Sequence, residues 1–114
     1  MTKLLVCGTR KSTNILLYSN KVYEELELYD RDKLELIEGC CPSSADEYAE
    51  VYAKVKNLKI THFPSTSGNY LKRNIEMVTE CDEVLAFYDH YSYGTSQTIA
   101  NAVMMGKPVK IIKI

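Results

Sequence analysis

Apolar residues fall in short unbroken runs at residues 4–7, 34–37, 58–60 continuing to 63, 84–87 and 109–112, separated by stretches with a helical period. Runs that do not alternate fit strands covered on both faces, the pattern of a parallel sheet flanked by helices. Between two of them, Ala45, Tyr48, Ala49, Tyr52 and Ala53 sit at i, i+3, i+4, i+7 and i+8, while Asp46, Glu47 and Glu50 fall on other faces. That spacing predicts an amphipathic helix. Ser44-Ala45-Asp46-Glu47 has the form of a capping box at its start, with Pro42 and Ser43 just before it. Further helices are predicted over 13–28, over 68–79 with Leu71, Ile75 and Val78 inward, and over 95–105 with Ile99, Ala102 and Val103 inward. Gly106-Lys107-Pro108 stops the last one. The order β-α-β-α-β-α-β-α-β predicts a three-layer, doubly wound α/β domain, because parallel neighbours require right-handed crossovers.

Composition narrows the partners more than the fold. With 114 residues, the chain makes one domain, 1–114, with no linker, repeat or low-complexity tract. Its 14 Lys+Arg against 15 Asp+Glu leave a net charge of −1 and no basic run, which argues against duplex nucleic acid or an anionic membrane as the main partner. A small ligand or another protein fits better. The N-terminal apolar run is too short for a signal-peptide core or a membrane span, so the chain reads as cytoplasmic. Cys7, Cys40, Cys41 and Cys81 lack the paired two-residue spacing of a zinc site, and vicinal Cys40 and Cys41 would strain to ligate one tetrahedral ion. No metal and no cofactor is expected, and the thiols read as reduced and mostly buried.

In a sheet of this kind ligands bind beyond the carboxyl ends of the strands, at the point where the winding reverses. Gly8-Thr9-Arg10 after the first strand offers a tight turn, free helix N–H groups and a guanidinium for a phosphate. After the second strand, Gly39, Cys40, Ser43, Ser44 and Asp46 supply hydroxyls and backbone donors, and Gly39-Cys40-Cys41-Pro42 implies an unusual loop shape. Ser44 and Glu47 also serve as plain caps. After the fourth strand, Tyr88, Tyr91 and Tyr93 stand before Gly94-Thr95-Ser96 at a helix start, where a tyrosine ring can stack a base or cover an interface. Arg73 and Asn74 would add a second cation and its orienting amide. His62 and His90 have no carboxylate at a motif spacing, and no nucleophile elbow is present.

Taken together, Gly8-Thr9-Arg10, Glu38-Gly39-Cys40-Cys41-Pro42-Ser43-Ser44-Ala45-Asp46 followed by Tyr48-Ala49, Arg73-Asn74, and Gly94-Thr95 leading to Gly106-Lys107-Pro108-Val109 resemble the SLOG superfamily. This Rossmann-like group includes DprA-type proteins and the LOG phosphoribohydrolases, and the similarity is to its small single-domain, YspA-like branch, common in bacteria and phages. The resemblance implies a sheet order of 3-2-1-4-5 and a pocket for a nucleotide-derived molecule, often completed by a second subunit, hence a homodimer or higher homo-oligomer. LOG enzymes carry Gly-Gly-x-Gly-Thr-x-x-Glu; here Gly94-Thr95-Ser96-Gln97-Thr98-Ile99 holds no carboxylate. Glycosidic chemistry generally needs a carboxyl pair, so the expectation is binding without turnover and no catalytic residue. In phage-type members such binding suits the sensing or sequestration of a nucleotide immune signal, such as a cyclic ADP-ribose isomer. The alternatives are an N-glycosidic hydrolase or transferase using Asp46, Asp89 or Glu38, and a protein-interaction module with a vestigial pocket.

Overall fold

The computed structural model describes residues 1–11, 13–65 and 69–114. Along the chain run β1 (Thr2–Gly8), α1 (Ile15–Leu26), β2 (Leu34–Glu38), α2 (Ala45–Lys56), β3 (Ile60–His62), α3 (Tyr70–Glu80), β4 (Glu83–Tyr88), α4 (Tyr93–Met104) and β5 (Val109–Lys113), with a 3₁₀ turn at Arg31–Lys33 leading into β2. The strands form one parallel sheet in the order β3-β2-β1-β4-β5. The fold is thus Rossmann-like α/β. No helix among the described residues is long and apolar enough to cross a membrane.

The unbroken apolar runs of the central strands follow from burial on two sides. Leu4 and Val6 of β1 and Leu85 and Phe87 of β4 point into a core shared with Tyr18, Val22 and Leu26 of α1 and Ala45, Ala49 and Tyr52 of α2. Leu5, Cys7, Val84 and Ala86 point the other way, onto Met77 and Val78 of α3 and Ala102 of α4. The edges differ: β5 exposes Lys110, Ile111 and Lys113, and β3 is three residues long with Thr61 and His62 exposed, because no other strand among the described residues pairs beyond them. The chain winds outward from β1 to β3 and then returns to β4, so the reversal lies between β1 and β4. Their ends, Gly8 and Tyr88, open the crevice where ligands bind in such sheets.

Several helix faces depart from the periodicity. In α3 the buried stripe is Arg73, Asn74, Met77 and Val78, while Leu71 and Ile75, expected inward, are about half exposed. In α4 the inward residues are Thr95, Thr98 and Ala102; Ile99 is partly covered and Val103 faces solvent. Asp46, expected outward on α2, is buried. Two bounds also move. The α1 helix begins after Asn14, which adopts a left-handed φ of 54°, and α4 starts at Tyr93, placing Gly94 in its first turn. The start expected at Gly68 for α3 falls outside the described residues. Ser44 caps α2 by accepting from the Asp46 amide at 3.2 Å, but Glu47 reaches the Ser43 amide, one residue short of the partner a capping box uses. Gly106, at φ +72°, closes α4 as a Schellman turn, its amide donating to the Val103 carbonyl and that of Lys107 to the Ala102 carbonyl.

Candidate functional site

Three loops converge at the carboxyl end of the sheet, and close packing fixes their shapes. A Cβ on Gly8 would stand 2.5 Å from the Tyr18 hydroxyl and 2.9 Å from both Ala45 Cβ and the Phe87 carbonyl, so only glycine fits there. The Tyr18 hydroxyl donates to the Thr9 carbonyl at 2.7 Å and accepts from the Ala45 amide at 3.2 Å, joining the β1 turn to the start of α2. The Lys11 amide donates to the Ser43 carbonyl, which ties in the β2 loop. Asp89 then organises the β4 turn: its Oδ1 accepts from the Thr9 hydroxyl at 3.0 Å and from the amides of Tyr91 and Ser92 at 2.8 and 3.0 Å. Desolvation works against ionising this carboxyl, but those donors hold its pKa below the usual carboxylate range.

The β2 loop is built around Asp46 and Arg73. Cys40 and Ser43 both take left-handed φ values, 61° and 56°, unusual for residues with a Cβ. Asp46 Oδ2 accepts from the Gly39 amide at 3.0 Å and the Cys41 amide at 3.3 Å. Burial raises the pKa of this carboxyl to about 6, with nearby Glu38 adding to the effect and the two amides and Arg73 opposing it. Arg73 donates to the carbonyls of Gly39 and Phe63 and, from Nε, to Asn74 Oδ1 at 3.0 Å. It comes so close to the loop that a Cβ on Gly39 would stand 2.5 Å from its Nη1.

Between these loops and the helices α3 and α4 lies a cavity of about 630 Å³, a volume suited to a small-molecule ligand. Gly8, Arg10, Cys41, Asp46, Arg73 and Asn74 form one wall, and Tyr93, Gly94, Thr95 and Thr98 of α4 the other, with Tyr70, Leu71 and Gln97 also lining it. The first turn of a helix leaves its N–H groups without helical acceptors. Ser92 Oγ takes the Thr95 amide, so the turn presents the amides of Tyr93 and Gly94 at the cavity. An added Cβ on Gly94 would meet no atom within 4 Å. The carbonyl oxygen of the Gln97 side chain is buried with no hydrogen-bond partner among the described residues.

The residues singled out in the sequence thus divide. Gly8, Arg10, Asp46, Arg73, Asn74, Tyr93, Gly94 and Thr95 line the cavity; Thr9, Gly39, Cys40, Ser43, Ser44, Tyr91 and Ser96 do not. The Gly39 amide, expected to hold a phosphate, is spent on Asp46. Ser44 is wholly buried as a cap, its hydroxyl donating to the Cys41 carbonyl, and Ser96 donates to the Tyr93 carbonyl. Tyr91 is 89% exposed and outside the wall, because the amides of Tyr91 and Ser92 are both drawn to Asp89 and the turn carries the ring outward. His90 lies against Tyr88, ring centroids 4.9 Å apart. Tyr70, Gln97 and Thr98 line the cavity without having been expected there; the last two share the α4 face of Gly94 through i+3 and i+4 spacing, a signal present in the sequence.

A second cluster stands outside the cavity wall. Glu38, fully buried at the end of β2, pairs in register with His62 at the end of β3, and its Oε1 contacts His62 Nδ1. Its Oε2 accepts from the Cys40 amide at 2.6 Å, and the Cys40 thiol lies 3.4 Å from Oε1 and 3.7 Å from the same His62 Nδ1. Desolvation, reinforced by Glu38, pushes the Cys40 thiol up to about 12. Of the thiols expected to be mostly buried, Cys7 and Cys81 are, Cys41 is partly covered and Cys40 is exposed. No protein-family model matches the chain, and no curated protein matches it.

Proposed function

We propose that the cavity binds a nucleotide or nucleotide-derived small molecule and holds it without turnover, the function that the resemblance to the SLOG superfamily implies. The observation that carries this reading is the cavity's pairing of an open helix start at Tyr93-Gly94 with the guanidinium of Arg10. Amides at a helix N-terminus and an arginine fork are the groups that recognise a phosphate. The bare Gly94 lets an anion approach the backbone. The rings of Tyr93 and Tyr70 flank the same space and are available to stack a base, while Asn74, Gln97 and Thr98 offer partners for ribose hydroxyls or base edges. A micromolar ligand needs only about 8 kcal/mol of net binding.

The carboxylates support holding over cleavage. Glycosidic chemistry generally draws on two of them, and among the described residues Asp46 is the one acid that lines the cavity. Asp89 is committed to the β4 turn and Glu38 to Cys40 and His62. A phage-type member with this arrangement would sequester an immune signal such as a cyclic ADP-ribose isomer or a cyclic nucleotide. Tyr70 and Leu71, which line the cavity, are about half exposed, and a second subunit covering them would complete the pocket. Light scattering with and without ligand tests that part.

The deciding experiment incubates the protein with AMP, NAD, ADP-ribose, cyclic ADP-ribose isomers and cyclic dinucleotides, removes unbound material, denatures, and identifies the released molecule by mass spectrometry. Intact ligand in proportion to protein is expected. One observation favours a second reading: the raised pKa of Asp46 suits a general acid or base. Free base with a ribosyl phosphate would establish that hydrolase, and no molecule retained or altered would refute both.

A further inference from the structure

The cluster at the β2–β3 edge has a chemistry of its own. Glu38, Cys40 and His62 bring a carboxylate oxygen, a thiol sulfur and an imidazole nitrogen within 4.8 Å of one another. We propose that these three side chains form a binding site for a single divalent transition-metal ion, zinc above all, with the fourth position open to water.

Two of the three separations fit such an ion as they stand, and the third, the direct contact of Glu38 Oε1 with His62 Nδ1, must open to admit it. Zinc bonds of about 2.3 Å to sulfur and about 2.0–2.1 Å to nitrogen or oxygen, set at tetrahedral angles, separate a sulfur from its fellow ligands by roughly 3.5 Å. Cys40 Sγ lies 3.4 Å from Glu38 Oε1 and 3.7 Å from His62 Nδ1. His62 is half exposed, with solvent to draw back into as the ion enters. A cysteine nucleophile activated by a histidine would look different: the base would face the thiol with one ring nitrogen and its orienting acid with the other. Here both Cys40 and Glu38 address Nδ1. A carboxylate, a thiol and an imidazole gathered this closely fit a coordination site.

Charge and backbone point the same way. Glu38 is wholly buried, and among the described residues its side chain reaches no lysine or arginine within ion-pair distance, only His62. A buried carboxylate calls for a cation. Its second oxygen is held by the Cys40 amide, the kind of outer contact that fixes a ligating carboxylate. Cys40 sits at φ +61°, where glycine is the unstrained choice; a cysteine there puts its thiol beside both of the other donors. Along 38–41 the chain alternates, Glu38 and Cys40 turning to this cluster while the Gly39 and Cys41 amides turn to Asp46. Thiolate with imidazole selects zinc, cobalt or copper over magnesium or calcium. Binding would release the Cys40 thiol proton to solvent. The sequence hid the site because its ligands are not a cysteine pair, and His62 joins them only through the register of two strands.

The test titrates the reduced, chelator-free protein with cobalt(II), followed by optical absorption, then back-titrates with zinc. One equivalent of cobalt is expected to bind with a thiolate-to-metal charge-transfer band, displaced by zinc and not by excess magnesium or calcium. Cys40→Ser should lose the band, and His62→Ala should weaken binding by about 100-fold or more, beyond the 10- to 100-fold loss typical of outer contacts. Cys41→Ser should change neither. Cys40→Gly, which relieves the left-handed backbone, keeps the fold intact for the comparison, checked by circular dichroism. Absence of a stoichiometric cobalt complex overturns the proposal, as does a charge-transfer band that survives Cys40→Gly or disappears in Cys41→Ser.

Discussion

Asp46 makes stability depend on pH in a direction opposite to most carboxylates. Its pKa is raised from an ordinary value of 3.8 to about 6, chiefly because burial at 4% exposure disfavours the anion more than Arg73 and the Gly39 and Cys41 amides favour it. The folded state therefore holds this proton more tightly than the unfolded chain. Between about pH 4 and pH 6 folding takes up a proton, so stability falls as pH rises through that window and is level on either side. About two pKa units at 1.36 kcal/mol each give roughly 3 kcal/mol as the full span. Asp46→Asn isolates the effect, since the amide oxygen can still accept from Gly39 and Cys41 but carries no charge to desolvate. Urea unfolding of both proteins from pH 4 to 8 should show the wild type losing roughly 3 kcal/mol relative to the variant by pH 7. Asp89, held low by its hydrogen bonds, titrates below the window. A pH-independent difference would mean that Arg73 and the two amides balance desolvation, and a wild type that gains on the variant as pH rises would mean that they outweigh it; either result refutes the reasoning.

The crowding at Gly8 makes Gly8→Ala destabilising by about 1–3 kcal/mol, read as a lower urea midpoint, because the new methyl meets a backbone carbonyl and an Ala45 methyl that cannot step aside. Gly94→Ala separates folding from binding: with nothing in the way of a Cβ, it should raise stability by about 0.4–1 kcal/mol in thermal melts. The same methyl should weaken binding of the nucleotide recovered by mass spectrometry, and unchanged affinity would place the phosphate elsewhere. Tyr93→Ala should cost that ligand about 1–3 kcal/mol if the ring stacks on a base. Tyr91→Ala, outside the wall, should leave calorimetric affinity unchanged; the reverse ranking would restore Tyr91 to the site.

The fold was legible because its strongest signals were local. Runs such as 84–87 are buried on both faces in the centre of the sheet, and that burial is what an unbroken apolar run encodes. Edge strands encode less: β3 shares its run with the chain leading into it, and three residues pair. The α4 start was misplaced by two residues because Ser92, a serviceable cap, stands before Tyr93 and Gly94, residues that read as loop. For the site, glycine positions were readable, but which amides were available was not. The Gly39 amide looks identical in sequence to the Gly94 amide, and only the folded position of Asp46 distinguishes them.

The charged and amide groups buried against the periodicity of their elements, or at the end of an apolar run, share one location. A helix packed only for stability turns its apolar residues inward; α3 instead buries Arg73 and Asn74 and leaves Leu71 and Ile75 half exposed. On α2 the anomaly is Asp46, and on β2 it is Glu38, each a charged group at 4% exposure or less. These four residues all stand at the carboxyl end of the sheet around one loop, 38–46, which also contains two non-glycine residues in left-handed geometry. Burying charge and straining backbone both oppose folding, and natural chains tolerate such conflicts mainly where a site requires them. The loop separates two such demands: its Asp46 side faces the cavity and its Glu38–Cys40 side faces His62. Glu38 and Cys40 on one side alternate along the chain with the Gly39 and Cys41 amides on the other, so loading the protein with zinc should shift the calorimetric affinity for any nucleotide recovered by mass spectrometry, and an unchanged affinity would mean that the two sides act independently.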